Sequence, residues 1–398
     1  MSAPLPLEGV RILAVEQYGA GPFGTMFLAD QGAELIKIEN PNTGGDFARD
    51  VGPHFFTPED SEFFHAYNRN KKSLSLDLSK PEGMDVFHDL VKGADAVASN
   101  LRGDVPGKLG LTYEVLGAIN PKVVCAHLSA YGRTGSRANW PGFDYLMQAE
   151  AGYFALTGEP DTPPTRFGLS VVDQMTGLAL AYALLAGVTG ARATGAGRDM
   201  DVSLFDIAMC NTGYPAIWYL NEGHEQERLP RSGHPSLTPC QLYTTSDGWI
   251  FLMCNKEKFW PALCEAIGKD EWSDDPRFLR FKDRLENRKI IEEMLDRELS
   301  TKTTAEWLEV FAGTVPASPI NDIPAAMDNP FVAERKGIQT LKLEGYGDYR
   351  MLASPVLSGG AETPAHPAPK LGQHTDELLA GIGYTPDRLE TLRKAKVI

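Results

Sequence analysis

Residues 10–39 read VRILAVEQYGAGPFGTMFLADQGAELIKIE. Val10–Val15 is an apolar run of strand length, and Leu35–Ile38 is a second. Between them a Gly-Pro turn opens a helix near Pro22. Strand, turn, helix, strand is a βαβ unit, and its strands run parallel because the helix carries the chain back. The alternation continues downstream. Leu74, Leu76 and Leu78 alternate with polar residues, as in a half-buried strand, and Pro81–Val91 has helical spacing. Ala96–Ala98 and Val123–Leu128 are further strands, with Thr112 placed to cap a short helix that ends at Asn120-Pro121. This pattern predicts an α/β fold built on a doubly wound parallel sheet.

The same stretch contains Gly19-Ala20-Gly21-Pro22-Phe23-Gly24, a GxGxxG after a strand, with Glu39 ending the next strand. Formally this is a dinucleotide-binding fingerprint. Two features weaken it. Glu16-Gln17-Tyr18 separates the apolar run from the first glycine, and Pro22 lacks an N–H where a pyrophosphate would be cradled. The competing reading is a Gly-Pro turn that starts a helix on such a sheet.

Beyond the Pro-rich loop Thr157–Thr165, Val171-Val172 and Asp173 precede an apolar stretch, Met175–Val188, read as a buried core helix rather than a bilayer span. Ser203–Cys210 is also helical. The texture changes near Glu222. Residues 223–325 read as a smaller α+β domain. A hairpin, Gln241–Thr244 and Trp249–Cys254, turns at Ser246-Asp247-Gly248. Charged amphipathic helices follow near Lys256–Gly268, Asp283–Leu299 and Thr304–Ala312. Residues 1–222 and 326–398 then form the large domain, whose tail holds another hairpin turning at Gly345 and Gly347.

The 398 residues carry 38 Lys and Arg against 53 Asp and Glu, a net charge of −15. That balance argues against nucleic acid and an anionic membrane surface, but not against a small anion, which needs only a few local donors. No secretory signal is visible at the N-terminus. The five cysteines are odd in number and form no CxxC, and the eight histidines show no metal spacing. A reducing cytoplasm and no metal site are expected.

Asp173 lies between an apolar pair and an apolar helix. It is either a helix N-cap or a carboxylate held at a helix N-terminus for chemistry.

A chain-long series of motifs bears on that choice. It runs through Leu7-Glu8-Gly9-Val10-Arg11-Ile12-Leu13, Ala20-Gly21-Pro22, Gly32-Ala33-Glu34-Leu35-Ile36-Lys37-Ile38-Glu39 and Gly45-Asp46 with Arg49. It continues with Asn68-Arg69-Asn70-Lys71-Lys72-Ser73, Asn100-Leu101-Arg102, Phe143-Asp144-Tyr145 with Gln148, and Thr157-Gly158-Glu159-Pro160. Pro163-Pro164-Thr165-Arg166, Asp173 with Gly177, Asp247-Gly248-Trp249 and Leu371-Gly372-Gln373-His374-Thr375 complete it. In this order the series resembles the class III CoA-transferases.

The resemblance implies a Rossmann-like large domain with a small domain, in an interlocked homodimer. It implies Asp173 as catalytic aspartate and a CoA site made by Tyr18, Ala20, Leu76, Asn100, Leu101, Arg102, Lys108 and Leu109. Lys71 and Lys72, ordinarily a solvated charge run, would then lie near a CoA phosphate. Phe143, Asp144, Arg166 and His234 are candidates for substrate contact or for support of the site. No cofactor is implied, since the coenzyme A thioester is itself a substrate. The partners are an acyl-CoA, of a small dicarboxylic acid such as succinate, and a small carboxylic acid. An intramolecular transfer within one dicarboxylate and an acyl-CoA racemase are the alternatives. Phe143 stands where racemases of this superfamily carry a histidine, and a phenyl ring cannot move a proton. Asn40 replaces an arginine that contacts adenine in some members. Gly233–Cys240 lacks the glycine run of oxalate-specific members.

Overall fold

The expected alternation folds into a six-stranded parallel sheet in the computed structural model, which describes residues 3–58 and 60–398. The strands are β1 (Arg11–Val15), β2 (Glu34–Glu39), β3 (Lys72–Ser75), β4 (Ala96–Ser99), β5 (Val124–Ser129) and β6 (Arg198–Ser203). Their order across the sheet is β3-β2-β1-β4-β5-β6, every neighbouring pair parallel. The winding reverses between β1 and β4, where such sheets leave a crevice beyond the carboxyl ends of the strands. Leu13, Ala14, Val97, Ala98, Cys125 and Ala126 are wholly buried. Strands covered on both faces need apolar residues at successive positions, not alternate ones. The alternation at Leu74–Leu78 misreads β3, which is covered on both faces and buries Ser73 and Ser75 beside Leu74.

Four helices position the site: α1 (Ala20–Asp30), α2 (Glu62–Asn68), α3 (Asp144–Glu150) and α4 (Val171–Thr194). Helices α1 and α4 cross with their backbones touching. A Cβ on Gly24 would lie 2.0 Å from the Gly177 carbonyl oxygen, and one on Gly177 would lie 2.4 Å from that of Ala20. This crossing brings the start of α1 against the first turn of α4. By length and composition alone α4 is long and apolar enough to cross a bilayer. One face of it, with Val172, Leu180, Leu184 and Val188, is buried, while Met175, Leu178, Tyr182 and Leu185 are exposed.

The chain divides into two compact units. The first holds residues up to Ala151, Phe167–Gly213 and Phe331–Ile398; the second holds Gly152–Arg166 and Tyr214–Pro330. In the second, β7 (Cys240–Thr244), β8 (Trp249–Met253) and β9 (Ala317–Pro319) form an antiparallel sheet in the order β9-β8-β7. Trp260, Leu263, Ile291, Leu295, Trp307 and Phe311 pack in its core. The loop Thr157–Thr165, assigned to the large domain on sequence, belongs to this unit. The Arg228 guanidinium donates to the carbonyls of Phe154, Ala155, Glu159 and Thr162 and ties the loop down.

Candidate active site

Asp173 is the third residue of α4, not its N-cap. Its backbone N–H, one of the unsatisfied donors of a helix start, donates to Asp144 Oδ2 at 2.9 Å. Asp144 opens α3 and is buried. Its Oδ1 accepts from Gln148 Nε2 at 2.6 Å, and Gln148 also bonds the backbone of Phe167 and Leu169. Asp144 thus serves as the cap, and the Asp173 carboxylate is left for other work.

That carboxylate faces Gly19, where a Cβ would come within 2.9 Å of Oδ2. Among the described residues no Lys, Arg or His lies within ion-pair reach of it. Burial, reinforced by the nearby Asp144 charge, pushes its pKa up to about 7.

The loop beside it is held from beneath by a chain of buried ion pairs. Lys71 Nζ donates to Glu16 Oε1 at 2.8 Å, Pro22 O at 2.9 Å and Asn68 Oδ1 at 3.0 Å, which satisfies all three ammonium donors. Lys37 bonds the Glu16 carbonyl at 2.9 Å and pairs with Asp46 at 2.8 Å. Asp46 Oδ1 accepts the backbone N–H of Tyr18 at 2.9 Å. Tyr18 sits at φ 66°, a left-handed conformation unusual for a non-glycine residue, and this bond helps hold it there. From above, Asn100 accepts the Gln17 N–H at 2.8 Å and donates to the Gln17 carbonyl at 2.6 Å.

The GxGxxG now has a packing explanation. Gly19 makes room for Asp173, Gly21 for Asn100 (2.9 Å to a Cβ) and Gly24 for the backbone of Gly177. All three glycines are used by close approach within the protein.

Two cavities meet at Asp173. Both are bordered by Tyr18, Gly19, Phe47, Phe143 and Asp173. One, of about 200 Å³, extends past Ala20, Asn100, Leu101, Arg102, Ser129 and Trp140. The other, of about 330 Å³, is walled by Phe23, Phe63, Tyr67, Asp144, Tyr145, Ser170 and Gln174. Its walls are largely aromatic: Tyr18 stacks on Phe47 at 4.6 Å, and Phe63 and Tyr67 meet edge to face at 5.3 Å.

The residues singled out on sequence therefore separate. Tyr18, Ala20, Asn100, Leu101, Arg102, Phe143 and Asp144 line these cavities with Asp173. Arg102 is exposed and shares the carboxylate of Asp104 with Lys108. Leu109 packs on the main core, and Leu76 is buried within it. Lys71 and Lys72 need correction. Lys71 is wholly buried with its donors spent, and Lys72 pairs with Glu34 and Glu377. Arg69, in the same run, is locked to buried Asp30. Arg69 and Lys71 are thus an internal framework, not a phosphate-facing strip, while Lys72 is half-buried and ion-paired at the surface.

Arg166 and His234 belong to the second unit. Arg166 lies on an exposed loop. His234 contacts the Tyr214 hydroxyl at 3.4 Å, and burial, then Arg288, lowers its pKa. Phe47, Phe63, Tyr67, Ser129 and Trp140 were not anticipated. The signal for the first three was aromatic residues clustering beside the Gly45-Asp46 and Asn68–Ser73 motifs.

Residues 7–375 match CoA-transferase family III. A succinate–glutarate CoA-transferase of Agrobacterium fabrum is 33% identical over 95% of this chain and 96% of its own length. A human succinyl-CoA:glutarate CoA-transferase is 32% identical over 96% of this chain and 87% of its own. A crystal structure of a CaiB/BaiF family protein from Brucella suis superposes with a TM-score of 0.80 at 30% identity, covering 96% of this chain and all of that one. The chain belongs to CoA-transferase family III and is a CoA-transferase.

Proposed function

We propose that Asp173 is the nucleophile in transfer of CoA from an acyl-CoA thioester to a small carboxylic acid. The observation that carries this is a half-buried carboxylate with no cation partner among the described residues, poised where two cavities meet. Ionised Asp173 attacks the thioester carbonyl. The C–S bond breaks, leaving a mixed anhydride and CoA thiolate. The thiolate attacks the Asp173 acyl carbon, releases the donor acid and forms an aspartyl-CoA thioester. The acceptor carboxylate attacks that thioester and makes a second anhydride with Asp173. The freed thiolate then takes the acceptor acyl group and regenerates Asp173. Covalent catalysis of this kind divides one difficult exchange into easier steps, and water must be kept out while an anhydride exists. The steps call for no metal or redox cofactor.

In this reading CoA runs along the Asn100–Arg102 cavity of the Rossmann-like unit, and the acyl group lies in the aromatic one. The names of the relatives, succinate–glutarate and succinyl-CoA:glutarate CoA-transferases, support succinyl-CoA as donor and a dicarboxylic acid as acceptor; the acceptor is read as a C4–C6 dicarboxylic acid, with transfer within one dicarboxylate as the alternative. The exposed apolar face of α4 fits burial against a second copy in an interlocked homodimer. Cytoplasmic residence accords with the cysteine pattern.

A matrix of acyl-CoA donors against free acids, read by mass spectrometry, tests this. CoA should move from succinyl-CoA to at least one dicarboxylate, and Asp173→Ala should abolish the transfer. Exchange that persists in Asp173→Ala, or no exchange with any pair, would sink the proposal.

A further inference from the structure

Tyr67 is the next-to-last residue of α2, and its ring faces the aromatic cavity that contains Asp173. Its orientation is fixed. Phe63 and Phe23 meet the ring edge to face, at 5.3 Å and 6.0 Å. The neighbouring Asn68 is fully buried and clamped by Lys71 on one side and the Phe64 carbonyl on the other. Among the described residues the Tyr67 hydroxyl makes no hydrogen bond. Tyrosine hydroxyls at apolar sites ordinarily find a partner, so this one has a donor to spare for what enters the cavity.

The chemistry beside it needs a donor. As Asp173 attacks, the acyl carbonyl oxygen takes up negative charge, and stabilising that charge is commonly the largest contribution to such catalysis. No Lys, Arg or His is among the described residues lining this cavity. Asp173 and Asp144 are acceptors, not donors, when ionised. Burial, then the Asp173 charge, raises the Tyr67 pKa, so the phenol keeps its proton. Tyr18, Tyr145, Ser170 and Gln174 also carry donors on this cavity; Tyr18 is stacked on Phe47, whereas Tyr67 is braced edge to face by both Phe23 and Phe63.

We infer that Tyr67 is a further catalytic residue, whose hydroxyl donates a hydrogen bond to the acyl oxygen while Asp173 is being acylated and deacylated. The inference rests on the proposed role of Asp173. No proton leaves Tyr67: the bond strengthens as charge develops and weakens as the thiolate departs.

Tyr67→Phe keeps the ring and its packing and removes only the hydroxyl. The expected loss in kcat is roughly 100- to 1000-fold. KM for the acyl-CoA should stay within about twofold. The melting temperature should not fall, because the hydroxyl has no partner among the described residues. Formation of the Asp173 adduct in a single turnover should slow by the same factor as kcat. A Tyr67→Phe enzyme that turns over as fast as the wild type would overturn the inference, as would a loss confined to KM or paralleled by lower melting. A defect in Tyr18→Phe with none in Tyr67→Phe would also overturn it. If the wild type forms no adduct on Asp173, the proposed function itself fails, and that outcome is read separately.

Discussion

Two groups of carboxylates lie on either side of the Tyr18-Gly19 loop, and the protein treats them in opposite ways. Beneath the loop, Glu16, Glu39 and Asp46 are buried against Lys71, Arg49 and Lys37. For Glu39 and Asp46, burial alone would raise the pKa, but the cations and hydrogen bonds outweigh it and both read below the ordinary carboxylate range. Beside the loop, Asp144 accepts the backbone N–H of Asp173, no cation among the described residues pairs with Asp173, and its pKa is driven up to about 7. The paired charges fix a strained loop in place. Asp173, with no cation beside it among the described residues, is held where ionisation is costly. A perturbed carboxylate in a cleft is a candidate functional group; its paired neighbours show why it is the exception.

The contrast can be broken from either side. The largest effect is expected at Asp173 itself: Asp173→Ala should lower turnover by at least about 10³-fold. On the paired side, Lys71→Met strands Glu16 without its cation and should destabilise the fold by about 3–5 kcal/mol, read by denaturant titration. Gly24→Ala, which forces a Cβ onto the Gly177 carbonyl, should cost on the order of 3 kcal/mol and loosen the site with it.

The pH dependence sharpens the comparison further. Protonated Asp173 is not a nucleophile, so kcat/KM should rise through about pH 7 as it ionises. In Asp144→Asn the neighbouring charge is gone, and the acid limb should move to lower pH. Stability runs the other way. A carboxyl whose folded pKa lies above its unfolded value costs stability once ionised, so the cost is absent below about pH 4 and complete above 7. Asp173→Asn should therefore be more stable than the wild type at pH 8, on the order of 1–3 kcal/mol after allowing for partial solvent screening, and show little gain at pH 4. The smallest effect is expected at exposed Arg102. Arg102→Ala should raise KM for acyl-CoA by about three- to tenfold, without a change in melting.

Much of this was legible in the sequence. The largely apolar runs at Val10–Val15 and Leu35–Ile38 made the parallel sheet legible, because doubly covered strands are near-continuously apolar, although Lys37 is buried among them with Asp46. Asp173 was visible as a carboxylate at a helix start, but its role could not be read locally. The group that frees it, Asp144, lies 29 residues away. Lys71 misled for the same reason: a lysine in a charged run looks solvated until its partner is known, and Glu16 is 55 residues distant. The GxGxxG spacing was clear, yet its cause was the crossing of α1 over α4, a contact between residues 24 and 177 that no local pattern encodes. Tyr67 was passed over because an aromatic beside a polar run has no signature until Phe23 and Phe63 are seen around it.

The most direct measurement is on Asp173 in the act. The enzyme is mixed with an acyl-CoA donor without acceptor, quenched with hydroxylamine or borohydride, digested and examined by mass spectrometry. The expected result is a modified carboxyl on the peptide carrying Asp173, dependent on the donor. An unmodified Asp173 under conditions where CoA transfer proceeds at full rate would contradict it.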